Sequence, residues 1–170
     1  MPAQNGKELF VDSPNSRLGE LGIVLPSPPA PLGNYVESSE TVNLLFLTGM
    51  LPVVNRKLAV EGRLGKDLSA SQGQEAARIA ALNALATAQK HLGSLDRIKK
   101  LIKLTVHLAS TAEFTEHARV ADGASDLFVQ IFGSQHGHAR VVLGVQSLPL
   151  GAPIMVETIF EIERGRLGKL

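Results

Sequence analysis

Hydrophobic and polar residues alternate along Ile98–Ala109, and a period of two is typical of a β-strand with one buried face. The apolar face carries Ile102, Leu104, Val106 and Leu108, and the polar face carries Lys103, Thr105 and His107. We therefore expect one face of this strand to pack on helices and the other to meet a more polar space. Other apolar runs predict strands over residues 42–48, 140–145 and Ile154–Ile162.

Shorter elements are predicted around these strands. A first strand is expected over residues 35–38, a turn over residues 39–41 and a short third strand over residues 57–60. A 3.6-residue period predicts a long helix over residues 71–92. Its apolar stripe is formed by Ile79, Leu82, Leu85, Ala86 and Leu92. A second helix is predicted over residues 114–132.

Both helices carry local signals. Ser71 and Gln74 have the spacing of a capping box, and Gly93 is placed to end the first helix. Many alanines in that helix favour helical structure and allow it to lie close to a sheet. Gly123 is expected to interrupt the second helix.

The N-terminal part of the chain is expected to form an arm. Ser13 can cap a short helix that runs to about Leu21, with Gly22 just past its end. Four prolines then fall within residues 25–31, a density that excludes helix and favours a stiff, extended tether. We therefore predict an N-terminal arm and proline-rich tether at residues 1–31 and one domain at residues 32–170.

The order of the elements predicts an α+β fold, in which a mixed β-sheet carries two helices packed on one face. Each helical crossover is expected to join two parallel neighbouring strands. Because the helices would cover only one face of the sheet, the other face needs a partner, and we expect an oligomer.

Composition narrows the function classes. The 170 residues are 44% hydrophobic and 19% charged, which suits one globular domain. The absence of cysteine excludes disulfides, thiol catalysis and zinc-thiolate sites. A net charge of +1 gives no strong field for nucleic acid or an anionic membrane. No secretory signal or bilayer-spanning stretch is visible, so we expect a soluble cytoplasmic protein.

Arg140 is the first candidate for ligand binding, because it stands at the start of an apolar predicted strand. Its guanidinium is permanently charged and presents a rigid donor fork that fits a carboxylate. The alternative is an exposed arginine paired with water or with a neighbouring subunit. His136 and His138 flank Gly137 without a third ligand nearby, so they are interpreted as loop histidines with no metal role. No cofactor-binding motif is found.

Several segments, taken together and in order, resemble the RidA/YjgF family of reactive-intermediate deaminases. They are residues 33–36, 45–52, 103–108, 139–140 and 145–159. Residues 122–127, 137–140 and 148–151 resemble its longer branch, often described as chorismate-mutase-like, which concerns fold and not activity. The resemblance implies a homotrimer with three clefts between subunits and the open sheet faces turned inward. It also implies hydrolysis of 2-imino or 2-enamino acids to 2-oxo acids and ammonia, with no metal or organic cofactor.

The resemblance also implies roles for single residues. Arg140 matches the arginine that holds the substrate carboxylate, and Val142 matches the position whose backbone contacts the ligand. Tyr35 matches the pocket tyrosine, and Thr48 and Gly49 match the small residues that line the cleft.

One departure concerns catalysis. Archetypal members carry a glutamate, thought to orient the water, at the position of Met155, and methionine has no acid–base capacity. Glu157 lies on the same strand face and is the candidate to replace it as a catalytic residue beside Arg140. Archetypes also have proline where this chain has His138. Two alternatives remain: a non-catalytic trimeric binder of small carboxylates with a regulatory role, and, less favoured, an endoribonuclease.

Overall fold

The computed structural model describes residues 13–163, so the first twelve residues of the predicted arm lie outside the described part. Three helices and seven strands form the fold. The helices are α1 (Pro14–Glu20), α2 (Ala70–Leu92) and α3 (His117–Phe132). The strands are β1 (Ser38–Thr41), β2 (Leu44–Met50), β3 (Val53–Val54), β4 (Lys57–Leu58), β5 (Ile98–Ala109), β6 (Ala139–Val145) and β7 (Ile154–Ile162).

Five strands form one mixed sheet in the order β1-β2-β7-β5-β6, while β3 and β4 form a separate two-stranded hairpin. All neighbours in the large sheet are antiparallel except β5 and β6. The crossover through α3 therefore joins parallel neighbours, as expected. The crossover through α2 does not, because β7 is inserted between β2 and β5 and pairs antiparallel with both.

The core lies between the sheet and α2 and α3. Along β7 the burial alternates strictly, with Ile154, Val156, Thr158, Phe160 and Ile162 buried. Alanines allow α2 to lie close to its neighbours in the core, as predicted. Six of them are each at most 1% exposed: Ala76, Ala77, Ala80, Ala81, Ala84 and Ala88. In β5 one residue departs from the expected pattern. A register shift between Leu101 and Lys103 puts Leu101 in the core opposite Phe160 and leaves the predicted core residue Ile102 partly exposed.

The long helix begins at Ala70, one residue before the predicted start, and its N-cap lies two residues before the predicted one. Ser69, not Ser71, is the N-cap, and its capping-box partner is Gln72 instead of Gln74. The Ser69 Oγ accepts a hydrogen bond from the Gln72 backbone N–H at 3.3 Å, and Gln72 Oε1 accepts one from the Ser69 N–H at 3.0 Å. Gly93 ends the helix in the left-handed conformation, as expected.

The first strand lies later than predicted. Residues 39–41, expected as a turn, belong to β1, and the chain reverses at Val42, which has a φ of 52°. The strand expected over residues 57–60 is only the second half of the β3–β4 hairpin. Its turn residues Asn55 and Arg56 both have positive φ, the feature of a type I′ turn.

Helix α3 starts at His117, three residues later than predicted, and runs through Gly123 without interruption. Gly123 is buried against α2, where an added Cβ would overlap the carbonyl oxygen of Gln74. The glycine therefore permits close contact between two helices and does not break the helix.

Helix α1 forms as predicted, and Ser13 caps it by accepting a hydrogen bond from the Ser16 N–H at 3.3 Å. Leu18 is 7% exposed and belongs to the same hydrophobic core as the sheet. The Asn15 N–H donates to Asp96 Oδ1 at 2.9 Å, which ties the helix to the turn before β5. The predicted domain boundary at residue 32 stays a prediction. Within residues 13–163, every helix is too short or too polar to cross a membrane.

We expect Gly123→Ala to lower the free energy of unfolding by about 1–3 kcal/mol, because the new methyl group must push α3 away from the α2 backbone. Urea denaturation of the purified protein measures this change. Gly19→Ala is the matched control, since Gly19 is exposed on α1 and no atom lies within 4 Å of the added Cβ. A Gly123→Ala protein as stable as the wild type would contradict the role of this contact.

Candidate functional site

Arg140 lies on β6, an edge strand that pairs only with β5 in the sheet. It is in register with buried Leu104, so its side chain points to the helix-covered face. There its Nη1 donates hydrogen bonds to Asp122 Oδ1 at 2.7 Å and to Ser125 Oγ at 3.0 Å. The side chain remains 25% exposed, so the charged group is held by α3 and still reaches the surface.

His138 extends this network. Its Nε2 lies 3.0 Å from the Ser125 Oγ. The same oxygen accepts a hydrogen bond from Arg140, and it either donates its proton to His138 Nε2 or accepts one from it, according to the tautomer of the ring. Burial lowers the pKa of His138, and the nearby charge of Arg140 lowers it further. His138 is a loop residue, as predicted, but it is a partner of the Arg140 cluster as well.

A second group of predicted residues lies around strand β2, away from the β6 edge of the sheet. Tyr35, Thr48 and Gly49 line one small cavity together with the proline-rich segment. The remaining lining residues include Met50, Leu51, Val53 and Leu150. The Tyr35 hydroxyl accepts a hydrogen bond from the Leu32 N–H at 3.0 Å, which fixes the ring across the cavity.

Glu157 is placed beside this cavity by the strand register. Leu47 pairs with Thr158 and Met50 with Val156, so Glu157 stands opposite the bulge formed by Thr48 and Gly49. It lies on the sheet face that carries no helix. Its Oε1 is 3.3 Å from His107 Nε2, an ion-pair distance without hydrogen-bond alignment, and that nitrogen has no hydrogen-bond partner among the described residues.

Met155 occupies the space next to the cavity glycine. A Cβ built at Gly49 would lie 2.7 Å from the Met155 Cγ and closer still to its sulfur. The position at which the resemblance implies a glutamate is therefore in contact with the cavity residue Gly49, and here it presents a thioether.

The predicted site residues thus form two groups that one chain does not bring together. Arg140 and Val142 lie on β6, while Thr48 and Gly49 lie on β2, three strand positions away. At about 4.8 Å per strand this separation is roughly 14 Å. A single ligand of a few carbon atoms therefore cannot touch both groups of one chain.

Asp122 and Ser125, which hold the candidate Arg140, are not predicted from the sequence. Their spacing of three places them on one face of α3, and both belong to a segment noted only for its family resemblance. Their contact with Arg140 spans 15 to 18 residues and depends on the α3 crossover. Within residues 13–163, the structure shows no cluster of three His, Asp or Glu side chains that could hold a metal ion.

Comparisons with known proteins agree with this architecture. A family model described as "YjgF/chorismate mutase-like, putative endoribonuclease" matches residues 15–162. Protein TCP17 of Trypanosoma cruzi is 41% identical over 148 residues, which cover 86% of this chain and 92% of TCP17. The structure is similar to a "putative endoribonuclease" from Shewanella oneidensis, with a TM-score of 0.85, 37% identity, and coverage of 88% of this chain and 99% of that one. E. coli TdcF with bound serine shares the fold at a TM-score of 0.59 and 19% identity, over 81% of this chain and 94% of TdcF.

We expect the unfolding free energy to fall as the pH drops below about 6.5, partly because of His138. Its pKa is lower in the folded than in the unfolded state, so the unfolded chain binds the proton more readily. The stability linked to this group is full above about pH 6.5 and is lost as the pH falls toward the folded-state pKa. Urea denaturation between about pH 5 and 8 should show a flatter profile for His138→Gln.

His136→Gln is the control for this measurement, because His136 lies two residues away in the same loop with an exposed side chain. It should keep the pH profile of the wild type. An unchanged profile for His138→Gln would show that His138 does not titrate in the way its surroundings require.

Proposed function

The chain belongs to the YjgF/chorismate mutase-like family, and on that premise we propose that it hydrolyses reactive 2-imino and 2-enamino acids to 2-oxo acids and ammonia. The observation that carries the proposal is the division of the candidate site residues into two groups, on β2 and on β6, three strand positions apart in one sheet. In the proposed assembly, the β6 edge with Arg140 of one copy meets the cavity with Thr48 and Gly49 of the next copy, and the two groups together form one site.

A homotrimer is the assembly we propose for this purpose. A closed ring of three copies makes three equivalent clefts from one heterologous contact. The uncovered sheet face supports burial in an assembly, because it exposes Phe46 on β2 and Val141 and Leu143 on β6 by 38%, 39% and 48%. Removal of these apolar side chains from water would stabilise the assembly.

In the proposed reaction, Arg140 binds the substrate carboxylate and holds C2 of the imine in the cleft. The water oxygen bonds to C2 as the C=N π bond breaks; one water proton passes to a base and nitrogen takes a proton, giving a tetrahedral carbinolamine. A second protonation of nitrogen lets the C–N bond break while the hydroxyl gives its proton to the base, so ammonia leaves and a 2-oxo acid remains. Because the imine is already electrophilic, most of the catalytic effect comes from orientation and from exclusion of bulk water.

Glu157 is the proposed base in this scheme. Its side chain is 46% exposed on the open face, beside Thr48 and Gly49.

The serine bound by TdcF is itself a small carboxylate and supports a ligand of this class. A net charge of +1 favours a small-molecule ligand over nucleic acid. The cytoplasmic location remains a prediction.

A second candidate function is binding of small carboxylates without turnover, in a regulatory role. Met155 favours it, because the side chain next to Gly49 can neither accept a proton nor orient water strongly. This candidate shares the anchor and the clefts and differs only in the chemistry after binding.

We expect Arg140→Ala to reduce the acceleration of ammonia release by about 100-fold, because the carboxylate loses its charged anchor. The assay generates 2-aminoacrylate in a coupled reaction and compares the rate with the uncatalysed one. Arg119→Ala is the control, since Arg119 is an exposed arginine paired with Glu116 on α3.

If the wild type binds 2-oxobutanoate but gives no acceleration, the binding function replaces the deaminase. If the protein cleaves RNA at a rate that Arg140→Ala leaves unchanged through repeated purification, the site proposal is wrong.

We expect Glu157→Gln to lower kcat by about 100-fold while KM changes little, because the amide cannot take the proton of the attacking water. Steady-state kinetics on the same substrate separate the two parameters. Glu161→Gln is a matched control on the same strand face, where Glu161 meets Lys99 and Lys100 at 3.9 and 3.6 Å. An equal loss in both variants would argue for a structural effect of the strand.

A further inference from the structure

The Arg140 guanidinium is held by one nitrogen only. Both of its hydrogen bonds, to Asp122 and to Ser125, leave from Nη1, which has two protons to donate. Among residues 13–163, Nε and Nη2 have no hydrogen-bond partner. The N–H groups of Nε and Nη2 run parallel along one edge of the guanidinium, and this edge matches the two oxygens of a carboxylate.

The two acceptors are themselves fixed in place. Asp122 and Ser125 lie one helical turn apart on α3, and Gly123 between them is packed against α2. Ser125 is 9% exposed, and its hydroxyl is also engaged by His138. Asp122 is 46% exposed, but the helix that carries it is buried along its inner face, so the direction of the guanidinium is set by a packed helix.

Asp122 has two conceivable effects on an anionic ligand. Its carboxylate could compete with the ligand for Arg140, or it could hold the guanidinium in the orientation that the ligand needs. Competition would be strongest if Asp122 occupied the Nε–Nη2 edge. It takes a single Nη1 proton and leaves that edge free.

We infer that Asp122 and Ser125 are positioning residues that hold Nη1 of Arg140, so that the Nε–Nη2 edge receives the ligand carboxylate. The inference rests on the proposed function for the identity of the ligand and extends it to residues that do not touch the ligand. A lysine at position 140 could not substitute, because an ammonium group has no such edge to orient.

Calorimetric titration with 2-oxobutanoate distinguishes holding from competition. Asp122→Ala should weaken binding about tenfold, because the guanidinium is released. Asp122→Asn keeps an acceptor oxygen for Nη1 without the charge, and should stay within about threefold of the wild type. Asp126→Ala on the exposed side of the same helix removes an equal charge and should have no effect. If Asp122→Ala binds as tightly as the wild type, or more tightly, the inference is wrong.

A second measurement needs no ligand and therefore separates failure of this inference from failure of the proposed function. In nuclear magnetic resonance spectra, a guanidinium held at Nη1 shows slow rotation about its C–N bonds. We expect slow rotation for Arg140 in the wild type and in Asp126→Ala, and fast rotation in Asp122→Ala and Ser125→Ala. Fast rotation in the wild type would overturn the inference even if 2-oxo acids bind.

Discussion

The close contact between α2 and α3 is the constraint on which the candidate site depends. At Gly123 the backbone of α3 comes so near to Gln74 of α2 that no side chain fits between them. This contact sets the position of α3 above the sheet. The contact thereby fixes the positions of Asp122 and Ser125, because Asp122 directly precedes Gly123 and Ser125 lies two residues after it. Both side chains face Arg140 on β6. A packing requirement in the core thus determines the direction of a charged group at the surface.

The place of β7 in the sheet has an equally far-reaching consequence. Because β7 enters between β2 and β5, three strand positions separate the cavity residues on β2 from Arg140 on β6. Had β2 and β5 been neighbours, the two groups would be one strand closer, at about 10 Å. The final strand also puts Glu157 opposite Thr48 and Gly49 and Met155 against Gly49, so the same insertion that separates the anchor from the cavity brings these two side chains beside it.

The sequence predicted best those elements whose signal is local and long. The bounds of β5 and β7 agree with the alternation of their residues, and α2 was found from its period. A capping box was expected at Ser71 because Ser and Gln recur with the same spacing two residues apart, and only backbone geometry selects Ser69. The bulge that exposes Ile102, the role of Gly123 and the neighbours of β2 depend on contacts between distant segments, which a periodicity cannot contain.

The same division holds within the site. Arg140 could be proposed as a candidate from sequence, because a charged residue entering an apolar strand is a local anomaly. Its partners could not, because Asp122 and Ser125 have the ordinary appearance of polar residues on a helix. An edge strand leaves an arginine with few neighbours, and a long side chain loses conformational entropy when a ligand fixes it. A helix that fixes the guanidinium beforehand removes part of that cost from binding, so the Arg140 anchor is best understood as one strand residue together with one turn of α3.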